Sequence, residues 1–424
     1  FVIEDLILSD PMLCARSNYR EILSDNIKEL LEIQFENILP IVSDYYVEET
    51  IDKIINESFY LYHRFFAPKR EYGDTFIRKK PNVEKMKAKV DYLSNVPQPD
   101  QRTEEWYVFR HKYLTASSLW KVFSTPGSRN QLIYDKCKPL DTSKYKGFCT
   151  SSPMHWGHKY EPVSIFWYEK MFKTTVSDFG CIPHKKIEYI AASPDGINTC
   201  PHSDRFGRML EVKNIVNRDI TGIPKPEYWI QMQIQMEVCE LNECDFLETR
   251  FKEYEDEDSF NEDGTFQFTK DGKHKGIILF FVDGEEAKYE YAPFMCTRDE
   301  YNQWETETMK KNSNLTWVQN LYWRLDEVSC VLVLRNKIWF RGAKFMLDEF
   351  WDIIQKEKGG DYIHRAPKKR DKLSSPQSIT SVNKCLINIE TLTLPKTEVQ
   401  EIPAVNTKVD NHTKIINIST EPLK

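Results

Sequence analysis

The order of hydrophobic patterns along the 424 residues predicts an α/β protein, a mixed central sheet flanked by helices with a helical region ahead of it. Three observations carry that prediction. Apolar residues recur at helical spacing in residues 1–62, five short runs rich in β-branched and aromatic residues lie between 176 and 282, and one helical stretch, 226–241, falls between the third and fourth of those runs.

The elements follow in order. Ile22, Leu23, Ile27, Leu30, Leu31 and Ile33, then Ile51, Ile54, Ile55 and Phe59, sit at the spacing of helix faces with few turn signals between them. The polar segment 94–106, with two prolines, is the best boundary, so 1–97 is expected to be a helical N-terminal region and 98–297 the core. Short helices are expected over 103–137. An amphipathic helix over 160–172 repeats Val163, Phe166, Trp167 and Met171 at three and four, with Trp156 and Trp167 as core residues. The five strand runs are 176–184, 189–193, 208–214, 244–251 and 275–282, each bounded by Gly, Pro, Asn or Asp. Helix 226–241 opens on Pro226 and Glu227, the residues of a first turn. Beyond Pro293, helices over 299–312 and 344–358 surround a strand over 329–340, and residues 298–372 are expected to pack on the core. Residues 373–424, rich in Ser, Thr, Asn, Pro and Lys without periodicity, read as a disordered tail rooted in the basic cluster 366–372.

Composition narrows the class. No run of about 18 apolar residues exists and the first residues carry early acids, so neither a membrane span nor a secretory signal is expected, and the location is expected to be intracellular, the nucleus included. Ten cysteines without a CxxC pair fit reduced thiols. Cys181, His184, Cys200 and His202 form the tightest metal-capable cluster, and the spacing favours a strand cysteine and a hairpin loop over zinc. A net charge of −7 argues against a protein that coats nucleic acid with its whole surface. Locally, nine basic residues against three acids between Arg64 and Lys89, interleaved with Phe65, Phe66, Tyr72 and Phe76, fit either a DNA-facing surface or a solvated connector. The stretch 253–263 holds seven acids in eleven residues and reads as an exposed loop off any DNA path.

The chemistry concentrates in 191–214. Asp195 lies in an SPDG turn, and sixteen positions on, Glu211 and Lys213 alternate with Val212 on a strand, so both side chains point to one face with Val212 behind. A hairpin partner would bring Asp195 beside Glu211, and two carboxylates with a main-chain carbonyl make an oxygen cage suited to Mg²⁺. A lysine beside such a cage can hold or deprotonate an attacking water.

Asp195, Glu211 and Lys213 resemble the PD-(D/E)xK nuclease motif. The words "QRTEEWYVFRHKYLTASSL" at 101–119, "HWGHKYEP" at 155–162, "ASPDGI" at 192–197, "LEVKN" at 210–214 and "YWIQMQIQM" at 228–236 resemble, in family order, its lambda-exonuclease branch, the YqaJ-type viral recombinases, with versions from nucleocytoplasmic large DNA viruses the nearest in kind. The resemblance covers about residues 100–290. It implies a restriction-endonuclease-like core and a Mg²⁺-dependent (Mn²⁺ as substitute) 5′→3′ exonuclease on double-stranded DNA ends, serving viral recombination, repair or replication. By the same resemblance Glu161, Asp195, Glu211 and the Val212 main-chain carbonyl hold the metal, Lys213 activates water, and Gln231 supports the site. Gln233 and Gln235 are less certain, and Arg110, Ser117 and Tyr228 bind the 5′-phosphate and DNA. It leaves room for a single-strand annealing protein as partner and for a homo-oligomer. The alternatives are an endonuclease on the same scaffold and a catalytically silent DNA-binding module; the iron–sulfur variant lacks its clustered cysteines.

Overall fold

The computed structural model describes residues 1–35, 44–73, 75, 81–99, 101, 103–141, 152–284 and 286–367. The expected tail, most of the basic cluster 366–372, and Phe76, Arg78, Lys79 and Lys80 of the basic stretch lie outside the described residues.

The N-terminal region is helical: α1 (Val2–Ser9), α2 (Pro11–Ala15), α3 (Tyr19–Gln34), α4 (Asp44–Phe65) and α5 (Val83–Asn95). Then come α6 (Glu104–Lys112), β1 (Leu114–Thr115), α7 (Ala116–Leu119), α8 (Pro126–Cys137) and α9 (Pro153–Phe172). The sheet region runs β2 (Val176–Ser177), β3 (Ile182–Pro183), β4 (Ile190–Ala192), β5 (Gly196–Asn198), β6 (Met209–Asn214), α10 (Pro226–Cys239), β7 (Glu243–Glu253), α11 (Glu257–Glu262), β8 (Lys275–Asp283) and β9 (Glu286–Tyr291). It closes with α12 (Arg298–Lys311), β10 (Thr316–Leu334) and α13 (Lys337–Lys358).

The α/β class holds. Seven strands in the order β2-β5-β6-β7-β10-β8-β9 form a mixed sheet in which β6 and β7 run parallel and the other neighbours antiparallel. β1, β4 and β3 form a small second sheet. On one side of β6, α9 buries Tyr168 against Leu210, Val212 and Leu247. On the other, α10 sits over Glu211, and its Trp229 and Met232 join the main core with Phe246 of β7.

The N-terminal helices share that core, because Ile7, Leu13, Leu23 and Phe59 are buried in the same cluster as Trp229 and Trp339. Buried indole N–H groups need acceptors, and both find them across the sequence: Trp339 Nε1 donates to the Pro11 carbonyl at 2.7 Å and Trp229 Nε1 to the Arg70 carbonyl at 2.8 Å. Arg70, counted above among the basic residues, is itself buried and donates to the carbonyls of Ala15 and Pro224, so it is a structural clamp rather than a DNA-facing cation. The proline-bearing boundary segment is docked as well, since Gly180 N donates to Gln98 Oε1 at 2.6 Å and Gln101 Nε2 to the Phe179 carbonyl at 3.1 Å.

Four local expectations are corrected. The run 176–184 is two short strands in different sheets, split where Gly180 packs so close to Pro99 that a Cβ would lie 2.5 Å from its carbonyl oxygen. The acidic stretch 253–263 is not all loop: it holds α11, capped by Asp256 on Ser259 N, with Phe260 fully buried beneath it. The strand expected at 329–340 ends at Leu334, where Asn336 caps α13 by accepting from Trp339 N at 2.9 Å, so residues 337–340 are helical. The helix expected from 160 starts at Pro153, with Ser152 as its cap, and Met171 is exposed rather than core. In the cysteine–histidine cluster, Cys181 is buried and His184 Nδ1 accepts from the backbone of Lys186 and Ile187, closing the turn between β3 and β4. Among the described residues no helix is long and apolar enough to cross a membrane.

Candidate active site

Asp195 occupies the turn from β4 to β5, which passes from the small sheet to the large one. The glycine after it is required, since a Cβ on Gly196 would sit 2.2 Å from Val176 Cγ1 on neighbouring β2. Because β5 turns away there, the backbone of β6 is open on that side, and Asp195 Oδ2 takes the free donor, Val212 N, at 2.8 Å. A residue's N–H and C=O point to the same side of its strand, which places the Val212 carbonyl beside Asp195 too.

Glu211 is fully buried, and its carboxylate is held by three side-chain donors. Lys213 Nζ donates to Oε1, as does Gln231 Nε2 at 2.7 Å, and Gln235 Nε2 donates to Oε2 at 2.8 Å. Gln231 and Gln235, one helical turn apart, share the face of α10 that covers β6. Gln233 points the other way, donating to the Leu334 carbonyl at 2.9 Å and accepting from Asn336 N at 2.7 Å, which ties the end of β10 to α13. Of the three glutamines, the site is therefore served by Gln231 and Gln235.

Burial, and after it the neighbouring Asp195 charge, push the Glu211 carboxyl up to about 7 against the pull of Lys213. Burial alone would lower the Lys213 ammonium, but Glu211 and Asp195 outweigh it and hold the group above its ordinary value. The side chain keeps 23% of its surface open, with Nζ 5.2 Å from the centre of the Tyr228 ring. Lys213 is thus an ammonium at the edge of solvent, anchored on its inner side.

Glu161 comes from α9. Pro162 breaks one rung of that helix, and Asn214 Nδ2 on β6 donates to the Gly157 carbonyl at 2.7 Å, so the turn carrying Glu161 is tied to the strand carrying Glu211. Glu161, Asp195 and Gln231 line a cleft of about 600 Å³. The donor set Glu161, Asp195, Glu211 and Val212 O is all oxygen, the type that a hard divalent cation takes. Among the described residues these groups are not drawn into a closed three-carboxylate cluster, because Glu211 spends its oxygens on Lys213 and the two glutamines.

The same cleft carries cations. Arg110 Cζ lies over the Trp106 ring, 4.1 Å from its centre, and the guanidinium donates to Ser117 Oγ at 3.1 Å and Ser193 Oγ at 3.4 Å. Ser193 connects Arg110 to the carboxylate site, since its carbonyl accepts from Gln235 Nε2 at 3.2 Å. The structure thus places Arg110 beside Ser117, as the motif order implied, and Tyr228 beside Lys213 rather than beside Arg110. Sequence reasoning missed Ser193 and Trp106. The four-residue spacing of Gln231 and Gln235 was a signal for Gln235; nothing in the sequence marked Ser193.

Residues 105–242 match the model of the YqaJ-like viral recombinase domain. An uncharacterized protein of Acanthamoeba polyphaga mimivirus is 28% identical over 332 residues, 69% of this chain, and the match spans 58% of that relative's length. Among solved structures, an alkaline exonuclease from Laribacter hongkongensis is 18% identical, with 62% of this chain and 97% of that one covered at a TM-score of 0.37. The same exonuclease in complex with dAMP gives 0.36 at equal identity and coverage.

Proposed function

We propose, from the YqaJ-like viral recombinase domain that this chain carries over residues 105–242, that the protein is a divalent-metal-dependent deoxyribonuclease digesting duplex DNA from its 5′ ends. The observation that supports it is one cleft lined by the carboxylates Glu161 and Asp195 together with Arg110 and Ser117, suited to a strand whose terminal phosphate and scissile bond are held at once. Glu161, Asp195, Glu211 and the Val212 carbonyl would hold Mg²⁺, or Mn²⁺ in its place. Bound there, the ion would supply Lewis-acid stabilisation of the phosphoryl oxygens.

The chain's own residues do the rest. Lys213, kept as an ammonium, orients the attacking water and presents positive charge to the phosphoryl oxygen. Gln231 and Gln235 fix the Glu211 carboxylate so that it does not turn toward the lysine alone. Arg110 offers a planar fork to a terminal phosphate, Ser117 adds a hydroxyl, and the Trp106 ring beneath Arg110 Cζ supports the fork. Digestion from 5′ ends would leave 3′ single strands for an annealing protein at the place inside the host cell where viral DNA is processed.

The test is digestion of end-labelled linear duplex with Mg²⁺, with a closed circle of the same sequence as control. A duplex with 5′-phosphate ends is expected to be degraded at least about tenfold faster than one with 5′-hydroxyl ends, since a charge-assisted contact exceeds a neutral one by about that factor. Arg110→Ala should remove most of that difference. Rapid cutting of the circle would favour an endonuclease and sink the end-binding role.

A second expectation concerns metal and pH. Glu211 is pushed up from 4.5 to about 7, so the folded metal-free protein holds a proton that the unfolded chain releases. Its stability should therefore fall as pH rises from about 4.5 to about 7. A cation relieves that cost only when the carboxyl is ionised. Thermal unfolding with chelator should show a lower melting temperature at pH 7.5 than at pH 6, and Mg²⁺ should raise it more at pH 7.5. Equal Mg²⁺ effects at both pH values would contradict the site.

A further inference from the structure

Lys136, in the last turn of α8, lines the same cleft as Arg110. Its Nζ donates to the Arg110 carbonyl at 2.9 Å, where α6 ends, so the two cations are fastened together. The carboxylate next to it in sequence is taken: Asp135 pairs with Lys138 and accepts from Gln131 Nε2 at 2.8 Å. Among the described residues no carboxylate stands within ion-pair distance of Lys136. A partly buried ammonium whose polar contact is one carbonyl, and which faces a second cation, is costly unless an anion arrives.

The surroundings agree. Burial, then Arg110 and, more weakly, Lys358 on α13 pull the Lys136 ammonium down to about 7, while Cys181 and Asp135 oppose them. Lys121, Lys138 and Asp141 line the same cleft, and His111 contacts the Lys138 carbonyl at 3.1 Å.

We propose that Lys136 is a third group for the terminal 5′-phosphate, closing on it with Arg110 and Ser117, and that it sets how strongly this chain prefers a phosphorylated end. This rests on the 5′-phosphate role of Arg110. The ammonium has two further protons to offer, and a phosphate dianion in this corner would neutralise the two adjoining cations together. The carbonyl that Lys136 already holds keeps α6, and with it Arg110, in place while the end enters.

The test is equilibrium binding in chelator, where no cleavage occurs, of one duplex with 5′-phosphate or 5′-hydroxyl ends at one salt concentration. Lys136→Gln keeps an amide donor for the Arg110 carbonyl and removes the charge. It should lower the phosphate-to-hydroxyl affinity ratio about tenfold, with hydroxyl-end binding within about twofold of wild type, and Lys136→Arg should recover most of the ratio. A second readout uses the wild-type protein alone: an amine-acylating reagent should modify Lys136 in the free protein, and the phosphorylated duplex, not the hydroxyl one, should protect it. Equal loss on both ends, or equal protection by both, would overturn the proposal. A ratio that collapses in Arg110→Ala but not in Lys136→Gln would overturn it while leaving the 5′-phosphate role of Arg110 standing. No preference in the wild type would remove that role itself, and Lys136 with it.

Discussion

Lys213→Met should cut DNA cleavage by at least about a thousandfold while the protein still folds and binds DNA ends within about threefold of wild type, because the group acts on water and phosphoryl oxygen rather than on the core. The methionine fills the volume of the lysine stem, while the Nζ contact with the Tyr228 ring goes with the ammonium. What is lost is the ammonium, and with it the charge opposite Glu211. That loss has its own signature. Lys213 pulls the Glu211 carboxyl down, so without it the carboxyl rises further above about 7 and stays protonated over a wider range. Any residual activity in the variant should therefore climb more steeply with pH than that of wild type. Asp195→Asn should give a similar loss of cleavage by a different route, since an amide cannot supply the same charge and its NH₂ would meet Val212 N if turned inward. Initial rates on end-labelled duplex, beside binding measured in chelator, separate chemistry from affinity. Undiminished digestion by Lys213→Met would remove the lysine from the reaction.

The strand carrying Glu211 and Lys213 was legible because a period of two needs no tertiary information: alternate residues share a face whatever the neighbours are. Helix α10 was legible from Pro226 and Glu227 for a similarly local reason. The first part of β10 was not. Residues 316–328 alternate weakly, are exposed or half-buried apart from Trp323 and Leu325, and carry Asp326 and Glu327, which only pairing with Lys252, Lys273 and Arg250 makes suitable for a sheet. The buried Phe260 inside an acidic run was hidden for the same reason, since its burial depends on Phe266 and Tyr322 arriving from outside that run. In the site, types and spacing placed the carboxylates near the lysine, yet could not say that Glu211 would spend its oxygens on two glutamines. Ser193 and Lys136 depend on α6, α8 and the β4 turn meeting, which no local pattern encodes.

Asp245→Ala should be the most destabilising single change in the sheet, costing about 3–5 kcal/mol, the range for breaking a buried ion pair from one side. Asp245 on β7 is fully buried and stands opposite Leu210 in the parallel ladder, on the face away from Glu211. It pairs with Arg205 and, at 3.0 Å, with Arg208, and accepts from Thr75 Oγ1 at 2.6 Å and Tyr168 Oη at 2.7 Å. Alanine would take one carboxylate partner from Arg208, whose side chain is 1% exposed, and would leave Tyr168 without an acceptor for its buried hydroxyl. Against a total stability on the order of 5–15 kcal/mol, that is a large share. Urea unfolding followed by tryptophan fluorescence measures it. The exposed pair of Lys89 with Glu240 gives the contrast, since Lys89→Ala should cost less than about 1 kcal/mol. Because Asp245 lies behind the site, Asp245→Ala held at low temperature should keep cleavage within a few-fold of wild type. A stable variant that had lost cleavage would mean that the buried charge network belongs to the chemistry, and that Tyr168 and the two arginines transmit it through β6.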